Sequence, residues 1–112
     1  MAEETMPEPS TTGSVVLDIG GRIGAAVVIT DAALAGAEIE FRPEDGPWTG
    51  AHVAVLERRV QGGPIFAAVV PSLPQGAYLM RVRTDTDPAA VQRIVVQGGN
   101  VITYNWGSIS PY

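Results

Sequence analysis

The sequence predicts an all-β protein, an antiparallel two-sheet sandwich of about seven to eight strands. Short segments with apolar residues at every second position recur at intervals of roughly 8 to 14 residues. Gly-Gly pairs and proline-containing turns separate them, and no segment has the apolar period of a long helix. Connections this short join antiparallel strands, so we expect hairpins and a Greek key.

The chain length of 112 residues predicts one domain with flanking segments. Residues 1–13 are polar and contain proline and three glutamates, so we expect a flexible acidic arm that lacks the apolar surface to fold. We expect the sandwich domain at residues 14–106 and a short C-terminal tail at 107–112.

The first half of the domain contains three predicted strands. Residues 14–19 alternate, and Gly20-Gly21 turns the chain into residues 22–30, which are apolar throughout and suit a central strand. Asp31 can cap a single helical turn before the strand at 37–42, where Ile39 and Phe41 face the core. The following loop, residues 43–50, holds one large side chain, Trp48.

The second half contains five further predicted strands. We expect one unbroken strand at 52–60, with His52 and Arg58 on the same face. Residues 64–83 predict two antiparallel strands joined by a turn that contains Pro71, Pro74 and Gly76. Strands at 91–97 and 101–106 complete the domain, the last one placing Tyr104 and Trp106 in the core.

Composition excludes several classes of protein. The chain has no cysteine, so disulfides, thiolate metal sites and a cysteine nucleophile are impossible. The net charge of −5 offers no basic field for nucleic acid or anionic lipid. We expect no membrane insertion, because no apolar run approaches the ~20 residues of a spanning helix. The N-terminal residues lack the order of a signal peptide, so we expect a cytoplasmic protein.

The chain shows two family resemblances, and the first of them rests on its second half. PSLPQGAYLMRV followed by VQRIVVQGGNVITYNW resembles the end of a prealbumin-like or carboxypeptidase-regulatory-like domain. GSVVLDIGGRIGAAVV, HVAVLERR and FAAVVPSLPQGAY are also similar to a set of short actinobacterial proteins, some of which carry a phospholipase label. The first resemblance implies a β-sandwich that self-associates through sheet edges, and the second implies lipid hydrolysis.

The residues needed for phospholipase chemistry are missing. Paired HxKxxxxD motifs require two histidines and lysines, whereas this chain has one histidine and no lysine. A GxSxG nucleophile elbow does not occur, and the calcium-dependent class needs a disulfide scaffold. Asp85 and Asp87 alternate like the start of a calcium loop, but Pro88 and alanines follow where oxygens are needed. We predict no enzyme activity, no cofactor and no metal.

The remaining hypotheses concern binding. The favoured one is a non-catalytic protein-interaction module, an accessory or structural subunit that binds another protein or self-associates through a sheet edge. The alternative is a small-molecule-binding protein or minor hydrolase with a site near His52. The candidate partner-binding residues are Trp48, His52, Arg58, Arg59 and Tyr112.

Overall fold

The computed structural model describes residue 17 and residues 19–106, which form two stacked four-stranded sheets. The first sheet has the order β4-β5-β1-β8 and the second the order β3-β2-β6-β7. This architecture confirms the predicted all-β, two-sheet fold. The strands are β1 (Ile23–Thr30), β2 (Glu38–Pro43), β3 (His52–Ala54), β4 (Leu56–Val60), β5 (Gly63–Pro74), β6 (Gly76–Val82), β7 (Gln92–Val96) and β8 (Val101–Asn105).

Strand β1 is the centre of the first sheet, as its continuous apolar sequence predicts. Ala25, Ala26 and Val28 are fully buried, and β1 pairs with β5 on one side and β8 on the other. The β1–β8 pair is parallel, whereas the other five strand pairs of the described residues are antiparallel. The predicted strand at 14–19 lies largely outside the described residues.

The predicted hairpin at 64–83 is wrong in one respect. Strand β5 pairs with β1 and β4, and β6 pairs with β2 and β7, so the two strands lie in different sheets. Strand β5 also continues through Pro71, at a register shift where Pro71 and Ser72 lie opposite the single residue Ala25 of β1. The proline- and glycine-containing turn is therefore an arch between layers, which places Leu73 and Met80 in one core.

The predicted strand at 52–60 is also divided. It crosses between the sheets at Val55, which is fully buried and exchanges hydrogen bonds with Gly36 and Ala37. Burial along β4 does not alternate, because Arg58 is buried while Leu56 and Val60 are exposed. His52 and Arg58 lie in different sheets, contrary to the expected shared face.

The short turns follow local side-chain chemistry. Asp31 accepts a hydrogen bond from the Ala33 N–H and caps a 3-10 turn at Ala32–Leu34, as predicted. Asp87 caps a second 3-10 turn at Pro88–Ala90 in the same way, so these aspartates stabilise turns. The turn at 97–100 is a second arch, because it joins β7 and β8 across the sheets.

The core lies between the two sheets. Val28, Ile39, Val55, Met80 and Val96 are its largest fully buried side chains. Trp106 is buried in the same cluster, and Tyr104 packs partly exposed against it with a T-shaped ring contact of 6.3 Å. The interior is therefore filled by side chains, and the candidate sites lie on outer faces and edges.

Candidate functional sites on one sheet face and one sheet edge

The structure separates the five predicted binding residues. Trp48 and His52 lie together on the outer face of the second sheet, beside β2 and β6. Arg58 and Arg59 belong to β4 in the first sheet. Tyr112 lies outside the described residues. The four of these residues that the structure describes therefore do not form one site.

The outer face around Trp48 carries an alternating set of charged residues from three strands. On β2 and β6 the charges recur at every second position, and the register places Glu40 opposite both Arg81 and His52. We call this surface the arginine–tryptophan face; its residues are Glu38, Glu40, Arg42, Trp48, His52, Arg81 and Arg83.

Trp48 is held by two arginines. The guanidinium carbon of Arg81 lies 4.0 Å from the ring centroid and that of Arg42 lies 4.8 Å from it, both within cation–π range. Arg42 Nη1 also donates to the carbonyl oxygens of Pro43, Glu44 and Gly46, at 3.2, 3.0 and 2.5 Å. The loop before β3 is thus fixed to the sheet instead of projecting from it.

A buried ion pair lies at the centre of this face. Arg81 Nε donates to Glu40 Oε1 at 2.8 Å, and only 9% of the Glu40 side chain is exposed. Arg83 Nε is 3.9 Å from the other Glu40 oxygen. Removing one side chain of such a pair leaves a buried charge without its partner, so loss of either residue should destabilise the fold.

His52 contacts both backbone and side-chain groups. Its Nδ1 lies 2.8 Å from the Gly50 carbonyl oxygen, which can only accept, and 3.2 Å from Arg83 Nη1, which can only donate. Nε2 lies 3.4 Å from Arg83 Nη1 and 3.8 Å from Glu38 Oε1. None of these neighbours carries a hydroxyl or thiol that the imidazole could activate as a nucleophile.

Two arginines outside this set have shifted pKa values, and both make structural contacts. Burial lowers the pKa of Arg58, whose Nε donates to the Ala67 carbonyl at 3.0 Å. A hydrogen bond raises the pKa of Arg93, because its guanidinium donates to the exposed Glu44 carboxylate at 2.8 Å. The same bond lowers the pKa of Glu44 and ties the loop to β7.

The edge of β8 is a second candidate site. The Asn100 carbonyl accepts from the Ala25 N–H, and the Trp106 N–H donates to the Ile29 carbonyl. In a parallel pair only every second residue of a strand forms main-chain hydrogen bonds with the neighbouring strand. Ile102 and Tyr104 are therefore the residues of β8 whose main-chain groups bond to β1. The N–H and C=O groups of the intervening residues, Val101, Thr103 and Asn105, point away from the sheet.

No hydrogen bond to those outward groups occurs within the described part of the chain. The sheet order ends at β8, and β7 ends the other sheet at the same side of the molecule. A groove of about 220 Å³ lies beside the two edges. We call it the side groove; it is lined by Val95, Gln97, Asn100, Val101 and Ile102.

A larger groove of about 430 Å³ lies at one end of the sandwich, between the loop after β2 and the arch that precedes β6. Glu44 in its lining is already paired with Arg93. Tyr78 closes it by donating its hydroxyl to the Pro74 carbonyl at 2.5 Å, and burial raises the pKa of Tyr78. Glu44 and Tyr78 are therefore both engaged in structural contacts.

Residues 17 and 19–106 contain no group of three or more His, Asp or Glu side chains placed to hold a metal ion. Nor does any helix in them have the length and apolar character needed to cross a bilayer.

Comparison with known proteins found no matching family model, no matching curated protein and no matching solved structure. The resemblance to prealbumin-like domains therefore remains a prediction, and the site has to be argued from this chain alone.

Sequence reasoning missed the partners of Trp48 and the edge of β8, which no strand of residues 19–106 covers. The signal for the first was present in the charges that alternate through residues 38–42 and 81–83 on two predicted strands. No comparable signal marks the second, because any of the predicted strands can lie at an edge. Only the pairing order identifies β8 as terminal.

Proposed function

We propose that this protein is a non-catalytic protein-interaction module that binds an extended segment of another protein by strand addition to β8. The observation that carries the proposal is the row of outward N–H and C=O groups at Val101, Thr103 and Asn105. An added strand would satisfy these groups with main-chain hydrogen bonds, which are the basis of affinity in such complexes. An accessory or structural subunit in the cytoplasm fits this role.

The four sheet edges differ in how well they are protected against strand addition. Strand β3 has only three residues, β4 carries Glu57, Arg58 and Arg59, and β7 carries Arg93. Strand β8 has the sequence VITYN, without a charge or a proline. Short length, charge and proline are the usual protections of an edge, so β8 is the most receptive of the four.

The proposal is tested by removing one outward N–H. Thr103→Pro deletes a donor that β1 does not use, and proline is tolerated at such an edge position. Thr103→Ala is the matched control, because it changes the side chain but keeps the N–H. Both variants and the wild type are tagged, used to capture proteins from the native host, and compared by mass spectrometry.

We expect the wild type and Thr103→Ala to capture a stoichiometric partner, and we expect Thr103→Pro not to capture it. Sedimentation equilibrium of the same three proteins tests whether the partner is a second copy of the chain. Binding that survives Thr103→Pro, or a wild-type chain that stays monomeric and captures nothing, would contradict strand addition. Circular dichroism confirms that the proline variant is folded.

A second candidate function has one observation in its favour, the convergence of His52, Glu38 and Arg83. We propose it as binding of a small anionic molecule, or weak hydrolysis, at the arginine–tryptophan face. The trio lies on an exposed sheet face, which gives little exclusion of water. Phosphatidylcholine vesicles incubated with wild type, with His52→Ala and without protein test it; wild-type fatty-acid release equal to that without protein excludes hydrolysis, and equal release from both proteins excludes a role of His52.

A further inference from the structure

We infer that the segment added to β8 runs antiparallel to it and inserts one aliphatic side chain into the side groove. This inference rests on the proposed function and specifies the chemistry of the partner: an uncharged extended peptide segment with a Leu, Ile or Val residue opposite Ile102. Three features of the molecule lead to it, namely the register, the neutral lining and the two exposed valines.

The register follows from the outward groups of β8. Residues opposite Val101, Thr103 and Asn105 in an antiparallel segment exchange both main-chain hydrogen bonds with them, and parallel pairing is slightly less stable per residue. Side chains alternate along the added strand. The residue opposite Ile102 therefore shares the inward face of Ile102, toward β7 and the side groove.

The lining of the side groove determines which side chain fits there. It contains two valines, one isoleucine and two amides, and no charged residue. A charged side chain in this position would lose its hydration without gaining a counter-ion. The neutral lining is thus complementary to an aliphatic residue and disfavours Asp, Glu, Lys and Arg.

The groove is also exposed and large enough. Val95 and Val101 are 42% and 40% exposed, although valine is usually buried. A water in the liquid takes up about 30 Å³, so about 220 Å³ holds the four carbons of a leucine side chain. Burying that side chain would strengthen binding by roughly 10- to 100-fold relative to alanine.

A random heptapeptide library displayed on phage and selected on the immobilised full chain provides the probe. We expect enriched sequences with Leu, Ile or Val at one fixed position and without charge at that position. A synthetic peptide of the enriched sequence and its alanine-substituted form are then compared by fluorescence polarisation. The alanine form should bind 10- to 100-fold more weakly. A library that yields no enriched sequence overturns the inference.

Variants of the protein separate the groove from the edge. Val95→Glu places a charge in the side groove and should weaken binding of the synthetic peptide at least tenfold. Val60→Glu is the control, because Val60 is a similarly exposed valine on β4. The Val60→Glu protein should bind the peptide as tightly as the wild type does. Thr103→Pro should abolish binding.

The outcomes distinguish the two levels of the argument. If Thr103→Pro loses peptide binding and Val95→Glu keeps it in full, strand addition to β8 is supported. The same result refutes insertion of a side chain into the side groove. Full binding in Thr103→Pro refutes the proposed function itself. The alanine-substituted peptide is measured on the unmodified protein, so it decides the question even where Val95→Glu does not fold.

Discussion

Replacing Arg81 by methionine should show that the arginine–tryptophan face is a rigid part of the fold. Arg81 makes two contacts at once: its Nε donates to Glu40 at 2.8 Å, and its guanidinium stacks on Trp48 at 4.0 Å. Methionine keeps much of the apolar stem but removes the charge and the donor. The variant therefore leaves Glu40 buried without its closest cation.

The expected loss can be estimated from the burial of the pair. Removing one partner of a buried ion pair costs about 3–5 kcal/mol. The side chains of Arg81 and Glu40 are 19% and 9% exposed, so the lower end applies, and Trp48 stacking adds about 1 kcal/mol. Arg83 screens Glu40 from 3.9 Å. We expect a net loss of about 3 kcal/mol, or a Tm lowered by roughly 12–24 °C.

Urea unfolding followed by far-UV circular dichroism measures the loss. Arg83→Met is the matched control, because Arg83 and its partner Glu38 are 45% and 46% exposed, and such a pair contributes at most about 1 kcal/mol. Equal losses in the two variants would refute the reasoning, since they would mean that burial of Glu40 does not strengthen its pair.

Three further predictions follow from other parts of the molecule. Arg93 lowers the pKa of Glu44 below its ordinary 4.5, so their pair stabilises the fold above pH 4.5 and the contribution is lost as pH falls through the lowered pKa. NMR titration of Arg93→Gln should return the Glu44 midpoint toward 4.5, and an unchanged midpoint contradicts the assignment. Gly98→Ala should destabilise the fold by at least about 2 kcal/mol, because a Cβ would overlap the turn that opens β1; wild-type stability in a thermal melt would be the opposing result. In the free protein, hydrogen exchange should be fast at the Thr103 amide and slow at the Tyr104 amide, and equal protection would mean that the edge is already covered.

The local features of the fold were predictable from particular residues. The alternation through residues 37–42 placed Ile39 in the core, and Ile39 is 1% exposed. The continuous apolar run of β1 identified a central strand, because only a strand with neighbours on both sides can bury so many apolar residues. Asp31 capped its turn through a bond to an amide two residues away. Each of these depends on neighbours along the chain.

The candidate sites were only partly predictable. Trp48 and His52 were selected from the sequence as the large aromatic in a turn-rich loop and the single imidazole, and both lie on one face. Arg42 lies only six residues before Trp48, but Arg81 lies 33 residues after Trp48 and Arg83 lies 31 residues after His52, on or next to another strand. Which cross-strand neighbours meet depends on register, and register is set when the sheets pack.

From the sequence alone, the class of the fold, the inner face of most strands and the capped turns were determined, because side-chain alternation and capping act over a few residues. The tertiary structure decided that Pro71 and Gly76 belong to an arch between sheets, that the chain changes sheets at Val55, and that β8 is an edge beside β1. The physical reason is that a turn sequence permits both a hairpin and an arch. The choice depends on which strands can bury β1 and saturate its hydrogen bonds, and that is a property of the whole molecule.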